Sequence, residues 1–309
     1  MFKLMRRVAL FFLMSYCPLA CVVDAFFGQG MSMVCSIHAQ VLKVGSYNIR
    51  YKNQEDSVKG NGWERRCPSL CNQIYWESPD IFGTQEVLHG QLQDLVDGLG
   101  GYRWIGVGRD DGKTAGEYAA IFYNPERVEL LEQGNFWLNE TPDRPALGWD
   151  AACIRICTWG HFRDRQTGKD FFFLNLHMDH VGVKARSESA KLVMRRITEM
   201  TDGGKKLAVL TGDFNVSQED ELYSLFTQSD VLKDCYACAE HRWAENGTFN
   251  GFNPNGFTTG RIDHIFVTPL TKVEAYAVRT DSRWQADADG TMRRRVISDH
   301  YPIFARIRF

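Results

Sequence analysis

The sequence predicts an α/β protein built as a four-layered α/β/β/α sandwich: two mostly antiparallel, mixed sheets packed face to face with helices outside. Three observations lead there. Short strand-like apolar runs recur from residue 41 to the end of the chain, with few stretches of helical spacing between them. In the middle portion, strand follows strand with no intervening helix, which implies antiparallel pairing. No Pro/Gly/Ser-rich linker, internal repeat or low-complexity tract divides residues 40–309, so they read as one domain.

VLKVGSYNI is the first strand, ending near Asn48. Trp63, Cys67, Leu70 and Ile74 fall at helical spacing, and Pro79 stops that helix. DIFGTQEV is the second strand. YRWIGVG, EYAAIFYNP, VELLEQGNFWL, CIRICTWGHF and DFFFLNLHM then alternate with turn signals as further strands. After Gly182, the residues Ala190, Val193, Ile197 and Met200 form one face of a helix. KLAVLTGD is a buried strand, followed by a helix expected over residues 218–226 and a Gly/Asn-rich passage over 246–260. RIDHIFVTP, VEAYAVRT and YPIFARIRF close the chain as strands.

A chain of 309 residues buries a large core, so folding requires neither metal nor disulfides. With 44% hydrophobic and 24% charged residues, the composition is that of a soluble globular protein. Lys3, Arg6 and Arg7 precede the run VALFFLMSYCPLA, the layout of a secretory leader over residues 1–39. Cleavage after Ala39 is expected, with a cut at Ala20 that leaves Cys21 for lipid attachment as the alternative. The mature chain is therefore expected to be periplasmic or secreted, without a stable membrane span. Removing the leader leaves 33 basic residues against 37 acidic ones, a net charge of −4. That balance argues against a protein gripping long nucleic acid, where clustered Lys and Arg supply most of the affinity. The six cysteines beyond the leader fall in close pairs, Cys67/Cys71, Cys153/Cys157 and Cys235/Cys238, and read as buried or disulfide-linked structural residues.

Asn48, Glu86, His177, Asp213 with Asn215, Asp263, and Asp299 with His300 all stand at ends of apolar strand-like runs. Singly, each has an ordinary reading: Asp213 in GDFN as a turn or cap residue, Glu86 as a helix cap, the histidines as satisfied polar groups. Together they read as the rim of one site, because neighbouring strand ends are neighbours in space. Carboxylate and amide oxygens with few histidines suit a hard cation such as Mg2+ or Mn2+.

SYNIR, GTQEV, NLHMDH, TGDFNVS, RIDHIF and SDHYP, in this order, resemble the motifs of the endonuclease/exonuclease/phosphatase superfamily. EYAAIFYNPERVELL, GNFWLNETPD and GTFNGF resemble its exported bacterial metal-dependent hydrolases. The resemblance spans essentially all of residues 41–309. It implies a divalent-metal-dependent hydrolase that cleaves a phosphate ester by in-line attack of water. On that basis Glu86 is the principal metal ligand, with Asn48 beside it and Asp299 close by. Asp213 orients and deprotonates the water, and Asn215, pointing the same way by strand alternation, donates to the phosphoryl oxygen. His300 contacts the phosphoryl group and is oriented by Asp263. His177 is a second phosphate contact, held protonated by Glu117. Arg50 stands where abasic-site endonucleases carry an Asp, which speaks against a second metal of that kind. Arg155, Arg186, Trp149 and Phe257 are candidates for the substrate side.

Three alternatives remain open. A zinc hydrolase of the metallo-β-lactamase type would want His at position 175, where this chain has Asn. An exported nuclease, or a sphingomyelinase-like lipid phosphodiesterase that would use FNGFNPNGF as an exposed aromatic hairpin, stays within the same enzyme class. A catalytically silent binding module would keep the fold without turnover.

Overall fold

The strands follow the expected order along the chain: β1 (Leu42–Asn48), β2 (Ile81–Gln85), β3 (Arg103–Ile105), β4 (Ile121–Tyr123), β5 (Val128–Trp137), β6 (Ile156–Asp164), β7 (Asp170–His177), β8 (Leu207–Asp213), β9 (Lys233–Asp234), β10 (His241–Trp243), β11 (Asp263–Val267), β12 (Lys272–Val278), β13 (Ser282–Ala286), β14 (Met292–Val296) and β15 (Ile303–Arg308). The helices are α1 (Gln54–Val58), α2 (Trp63–Glu77), α3 (His89–Gly98), α4 (Val183–Thr201) and two single turns, α5 (Ser224–Thr227) and α6 (Cys235–Cys238). The structure is a computed structural model that describes residues 41–287 and 289–309. The expected leader lies outside the described residues.

One sheet runs β10-β12-β15-β1-β2-β4-β3, the other β5-β6-β7-β8-β11-β9, and β13–β14 forms a separate two-stranded ribbon. The middle strands β5, β6 and β7 pair antiparallel, as expected. Two parallel pairs matter for the site. The β1/β2 register sets Asn48 opposite Gln85, and the β7/β8 register sets His177 opposite Asp213. Antiparallel β11 sets Asp263 opposite Asp213 on the other edge of β8.

Three apolar layers hold the stack. Val44, Ile81, Phe171, Phe173, Val209, Ile265 and Ile303 fill the space between the sheets. Leu174, Leu176 and Leu210 pack on Ala190, Val193 and Ile197 of α4. Tyr47 and Phe82 pack on Leu70 and Ile74 of α2 and on Leu92 and Leu95 of α3. Strands covered on both faces read as continuous apolar runs, which is why β7 and β8 look unalternating in sequence. The order is helix, sheet, sheet, helix.

The sheets are also tied by polar groups. Asn175 on β7 donates through Nδ2 to the carbonyls of Thr84 (2.8 Å) and Ala120 (3.0 Å) in the other sheet. Its Oδ1 accepts from Gln85 Nε2 at 2.7 Å and from Thr211 Oγ1 at 3.1 Å. A Cβ on Gly83 would sit 2.2 Å from Asn175 Oδ1, so only glycine admits this tie. Position 175 is thus committed to cross-sheet hydrogen bonds beneath the site.

Several elements differ from expectation. Residues 218–226 do not form one helix: Asp220 caps a 3-10 turn over Glu221–Tyr223 that leads into α5. Hydroxyls of Ser224 and Thr227 bond back to preceding carbonyls, which competes with helix extension. Strand β6 starts only at Ile156, because the N–H groups of Ala152 and Cys153 are taken by the Asp179 carboxylate. All six described cysteines are free thiols, with Cys67 and Cys71 Sγ 4.0 Å apart on α2. Among the described residues, no helix is long and apolar enough to cross a membrane.

Candidate active site

The strands β1, β2, β7, β8 and β11 present Asn48, Glu86, His177, Asp213 and Asp263 at one end of the sandwich. Local backbone features turn these side chains inward. Glu86 (φ 61°), Arg50 (φ 58°) and Asn215 (φ 49°) all adopt the left-handed region, which non-glycine residues seldom occupy and which tends to cluster at functional sites. Gly212 lets β8 approach β7: a Cβ there would lie 2.4 Å from the carbonyl oxygen of Leu176. Buried Arg66 of α2 donates to the carbonyls of Ile49 (2.7 Å), Arg50 (3.0 Å) and Ile297 (3.2 Å), joining two loops that carry site residues.

Asp213 is the centre. Its Oδ2 lies 3.6 Å from His177 Nε2 on one side and 3.7 Å from His300 Nε2 on the other. Asn48 Nδ2 donates to Asp213 Oδ2 (2.9 Å) and to Glu86 Oε1 (3.0 Å), bridging the two carboxylates. His300 Nδ1 meets Asp263 Oδ2 at 2.9 Å. Ligand atoms of Glu86, Asp213 and His300 all fall within 4.8 Å of one another, a spacing that lets a cation held by the carboxylates sit beside the imidazole. Asp299 joins the rim, its Oδ2 3.7 Å from Arg50 Nε. The cleft over them has a volume of about 690 Å3 and is lined in part by Glu86, Glu117, His177, Asp213, Asn215, Asp299 and His300.

Burial, and after it the neighbouring Asp263 carboxylate, pushes Asp213 up to about 7, with His300 opposing. Burial works against charge on His300, but Asp263 and Asp213 overcome it and hold its pKa well above the ordinary value. His300 is therefore an imidazolium with Nδ1–H on Asp263 and Nε2–H free to face the cleft. Burial, followed by the guanidiniums of Arg155 and Arg109, pulls His177 well below its ordinary value.

Three expectations are corrected by this geometry. Glu117 does not hold His177 protonated. Its Oε2 is 3.9 Å from His177 Nδ1, beyond hydrogen-bond reach, and it accepts instead from Arg109 Nη1 at 2.6 Å, so His177 is neutral. Asn215 does not follow Asp213 by strand alternation, because β8 ends at Asp213. Its N–H donates to Asp213 Oδ1 (3.0 Å) and its Nδ2 to the Met178 carbonyl (3.0 Å), yet it still lines the cleft. Asn48 turns its NH2 toward the carboxylates, and its Oδ1 already accepts from Arg50 N–H at 3.0 Å. It clamps the two acids through its amide nitrogen, where the expectation had its oxygen on a cation.

Of the substrate-side candidates, Arg155 lines the cleft. Arg186 instead donates to the Asp179 carbonyl (3.1 Å), Trp149 N–H bonds to Glu140, and Phe257 is 73% exposed outside the cleft. FNGFNPNGF is a loop anchored at its start, where Asn250 and Gly251 donate to the Asp299 carbonyl and Phe252 lies over Arg66; Phe249 faces the cleft and Phe257 stands exposed. Arg109, Tyr51 and Phe249 are cleft residues that sequence reasoning missed. Arg109 sits in a Gly/Asp-rich loop with no periodic signal, and aromatic residues at a loop edge look alike in sequence.

A second group, Cys153, Asp179 and His180, has metal-ligand spacing. Its carboxylate is already saturated. Asp179 accepts from the backbone of Ala152, Cys153, Val181 and Gly182 and from Arg155 Nε (3.3 Å). Burial opposes its ionisation, but those backbone donors bring it down to about 2. Arg155, paired with it, already supplies its counter-charge. This group positions Arg155.

A sequence profile of the endonuclease/exonuclease/phosphatase family matches residues 45–300. A mannosyl-6-phosphatase of Bacteroides thetaiotaomicron VPI-5482 is similar to this chain at 48% identity and TM-score 0.84, covering 87% of this chain and 100% of that one. An endonuclease/exonuclease/phosphatase from Bacteroides vulgatus is 41% identical with TM-score 0.78, covering 87% and 99%. The human Nocturnin catalytic domain, solved with bound sulfate anion, shares the fold at 18% identity and TM-score 0.63, covering 87% and 94%.

Proposed function

The chain belongs to the endonuclease/exonuclease/phosphatase family, whose members hydrolyse phosphate esters, and from that membership we propose that it is a divalent-metal-dependent phosphomonoesterase acting on a sugar phosphate. The observation that carries this reading is Asp213, buried between two imidazoles and bridged through Asn48 to Glu86.

The donor set fits a hard cation. Glu86 and Asp299 supply carboxylate oxygens, with the Asp213 carboxylate beside them in the same cleft. Glu86 would be the main ligand, with Asp299 and His300 adjacent. When bound, the ion supplies Lewis-acid stabilisation of charge on the phosphoryl and leaving oxygens. Asp213, held between the two imidazoles, takes the proton from the attacking water. The imidazolium of His300 donates toward the phosphoryl oxygen as charge builds there, and Asp263 keeps it oriented. Asn215 donates from the β8 end with its remaining N–H, and neutral His177 offers one further contact. Asn48 holds the two acids apart at fixed distance.

The 48% identity to a mannosyl-6-phosphatase supports a hexose 6-phosphate as substrate. The acidic balance of the mature chain supports a small ester over long nucleic acid. The basic-then-apolar first 39 residues support export to the periplasm or beyond. The test is phosphate release from mannose 6-phosphate with added Mg2+ or Mn2+, beside an aryl diester and single-stranded nucleic acid. Monoester turnover should dominate and fall at least a thousandfold in Asp213→Ala, about 4 kcal/mol of barrier. Turnover that survives Asp213→Ala, or a preference for the diester, would overturn the assignment.

A further inference from the structure

A hexose ring offers two kinds of surface, faces of C–H bonds and a rim of hydroxyls, so a site that selects it needs an apolar wall facing a hydrogen-bonding one. The cleft has both, on opposite sides of Asp213. Because β8 lies between β7 and β11, groups carried beside β11 and groups carried beside β7 and β6 flank it on its two sides and line one cleft. On the β11 side stands Phe249, 47% exposed, its ring edge-on to His300 with centroids 5.1 Å apart. A backbone bridge between Phe249 and His300, and the Tyr301 N–H donated to the Thr248 carbonyl (2.7 Å), fix that wall. On the β7 side stand Arg155 and His180, with Nη2 and Nδ1 2.9 Å apart, and the Arg109–Glu117 pair.

The charge of the polar wall decides what it can bind. Arg155 is offset by Asp179 and Arg109 by Glu117, so the wall offers fixed N–H donors and a carboxylate acceptor with little net charge. A second phosphate or a carboxylate would have to compete with Asp179 and Glu117 for those guanidiniums. A ring of neutral hydroxyls, each both donor and acceptor, matches it. The cleft volume of about 690 Å3 also exceeds what a phosphoryl group alone occupies.

We infer that the cleft beside the phosphoryl site is a hexose subsite, in which Phe249 stacks on the C–H face of the ring and the Arg155–His180 pair binds its hydroxyls. These residues select a sugar phosphate over other monoesters. The inference rests on the phosphomonoesterase reading above. It assigns the leaving-group side of the cleft to residues that take no part in water activation.

The test compares kcat/KM for mannose 6-phosphate with that for ethyl phosphate, which has no ring. The wild type should favour the sugar ester. Phe249→Ala and His180→Ala should each lower that ratio about tenfold, through KM for the sugar ester, while Phe249→Trp retains it. An unchanged ratio in both variants overturns the subsite. Should Phe249→Ala unfold, His180→Ala carries the comparison, since its side chain is exposed. Binding of methyl α-mannoside, followed by ligand-observed NMR without metal, separates this inference from the function it rests on. If neither monoester is hydrolysed, the phosphatase reading fails. Saturable binding that Phe249→Ala abolishes would then still support the subsite, and no binding would overturn it. If both monoesters are turned over equally, the phosphatase reading stands and the subsite falls.

Discussion

Replacing Asp213 by Asn should stabilise the protein while abolishing turnover, because the fold opposes the charge that the reaction needs. Burial and the Asp263 carboxylate raise Asp213 from an ordinary 3.8 to about 7. Between those values the native state holds a proton that the unfolded chain releases. The stability this confers is fully present below about pH 4 and is lost as pH rises through 7. Three pKa units correspond to at most about 4 kcal/mol, at roughly 1.4 kcal/mol per unit. At pH 8 the wild type carries that full cost and Asp213→Asn does not. The variant gives back about 1 kcal/mol, since one of the contacts from Asn48 and Asn215 to the carboxylate loses its acceptor. At roughly 2 °C per kcal/mol for a domain of this size, Tm should rise by about 6 °C. Thermal unfolding followed by circular dichroism, with a chelator present, reads this at pH 8 and at pH 5, where the gain should shrink to about 1 °C. Added Mg2+ should then stabilise the wild type more than the variant. A variant that melts at or below the wild-type temperature at pH 8 would refute the reasoning.

Three further outcomes are expected. Asp263→Asn removes the largest anion beside His300, so the alkaline limb of the pH–rate profile should move to lower pH; an unmoved limb would dissociate His300 from catalysis. Asn175→Ala breaks the cross-sheet tie and strands the groups it satisfied, which should cost about 3 kcal/mol in urea unfolding, and a loss under about 1 kcal/mol would make the tie ornamental. Intact-mass measurement of the exported chain should find Gln40 first; retention of the initial Met would remove the export proposal.

The skeleton of the site was legible because strands end abruptly. Each apolar run that terminates near Asn48, Glu86, His177 or Asp213 marks a strand end, and the registers align those ends within each sheet. The pairings within the site were less legible. Which base Glu117 would pair with depended on Arg109, eight residues away in a loop without periodicity. That Asn48 bridges two acids required knowing that β1 of one sheet lies over β8 of the other, 165 residues apart. Asn215 deceived by adjacency: two residues apart on a strand point alike, but the backbone leaves the strand at Asp213 and enters the left-handed region. Helix α3 escaped because its ten residues carry a glycine at each end of a short Leu92/Leu95 stripe. The Asn175 network is a purely tertiary agreement among residues ordinary in sequence.

The most direct test of the central claim is the anomalous difference map of a crystal soaked in Mn2+. A peak bonded to Glu86 at about 2.2 Å, beside Asp213, Asp299 and His300, is the predicted result. Ordered density for manganese at Cys153, Asp179 and His180 with none at Glu86 would contradict the account.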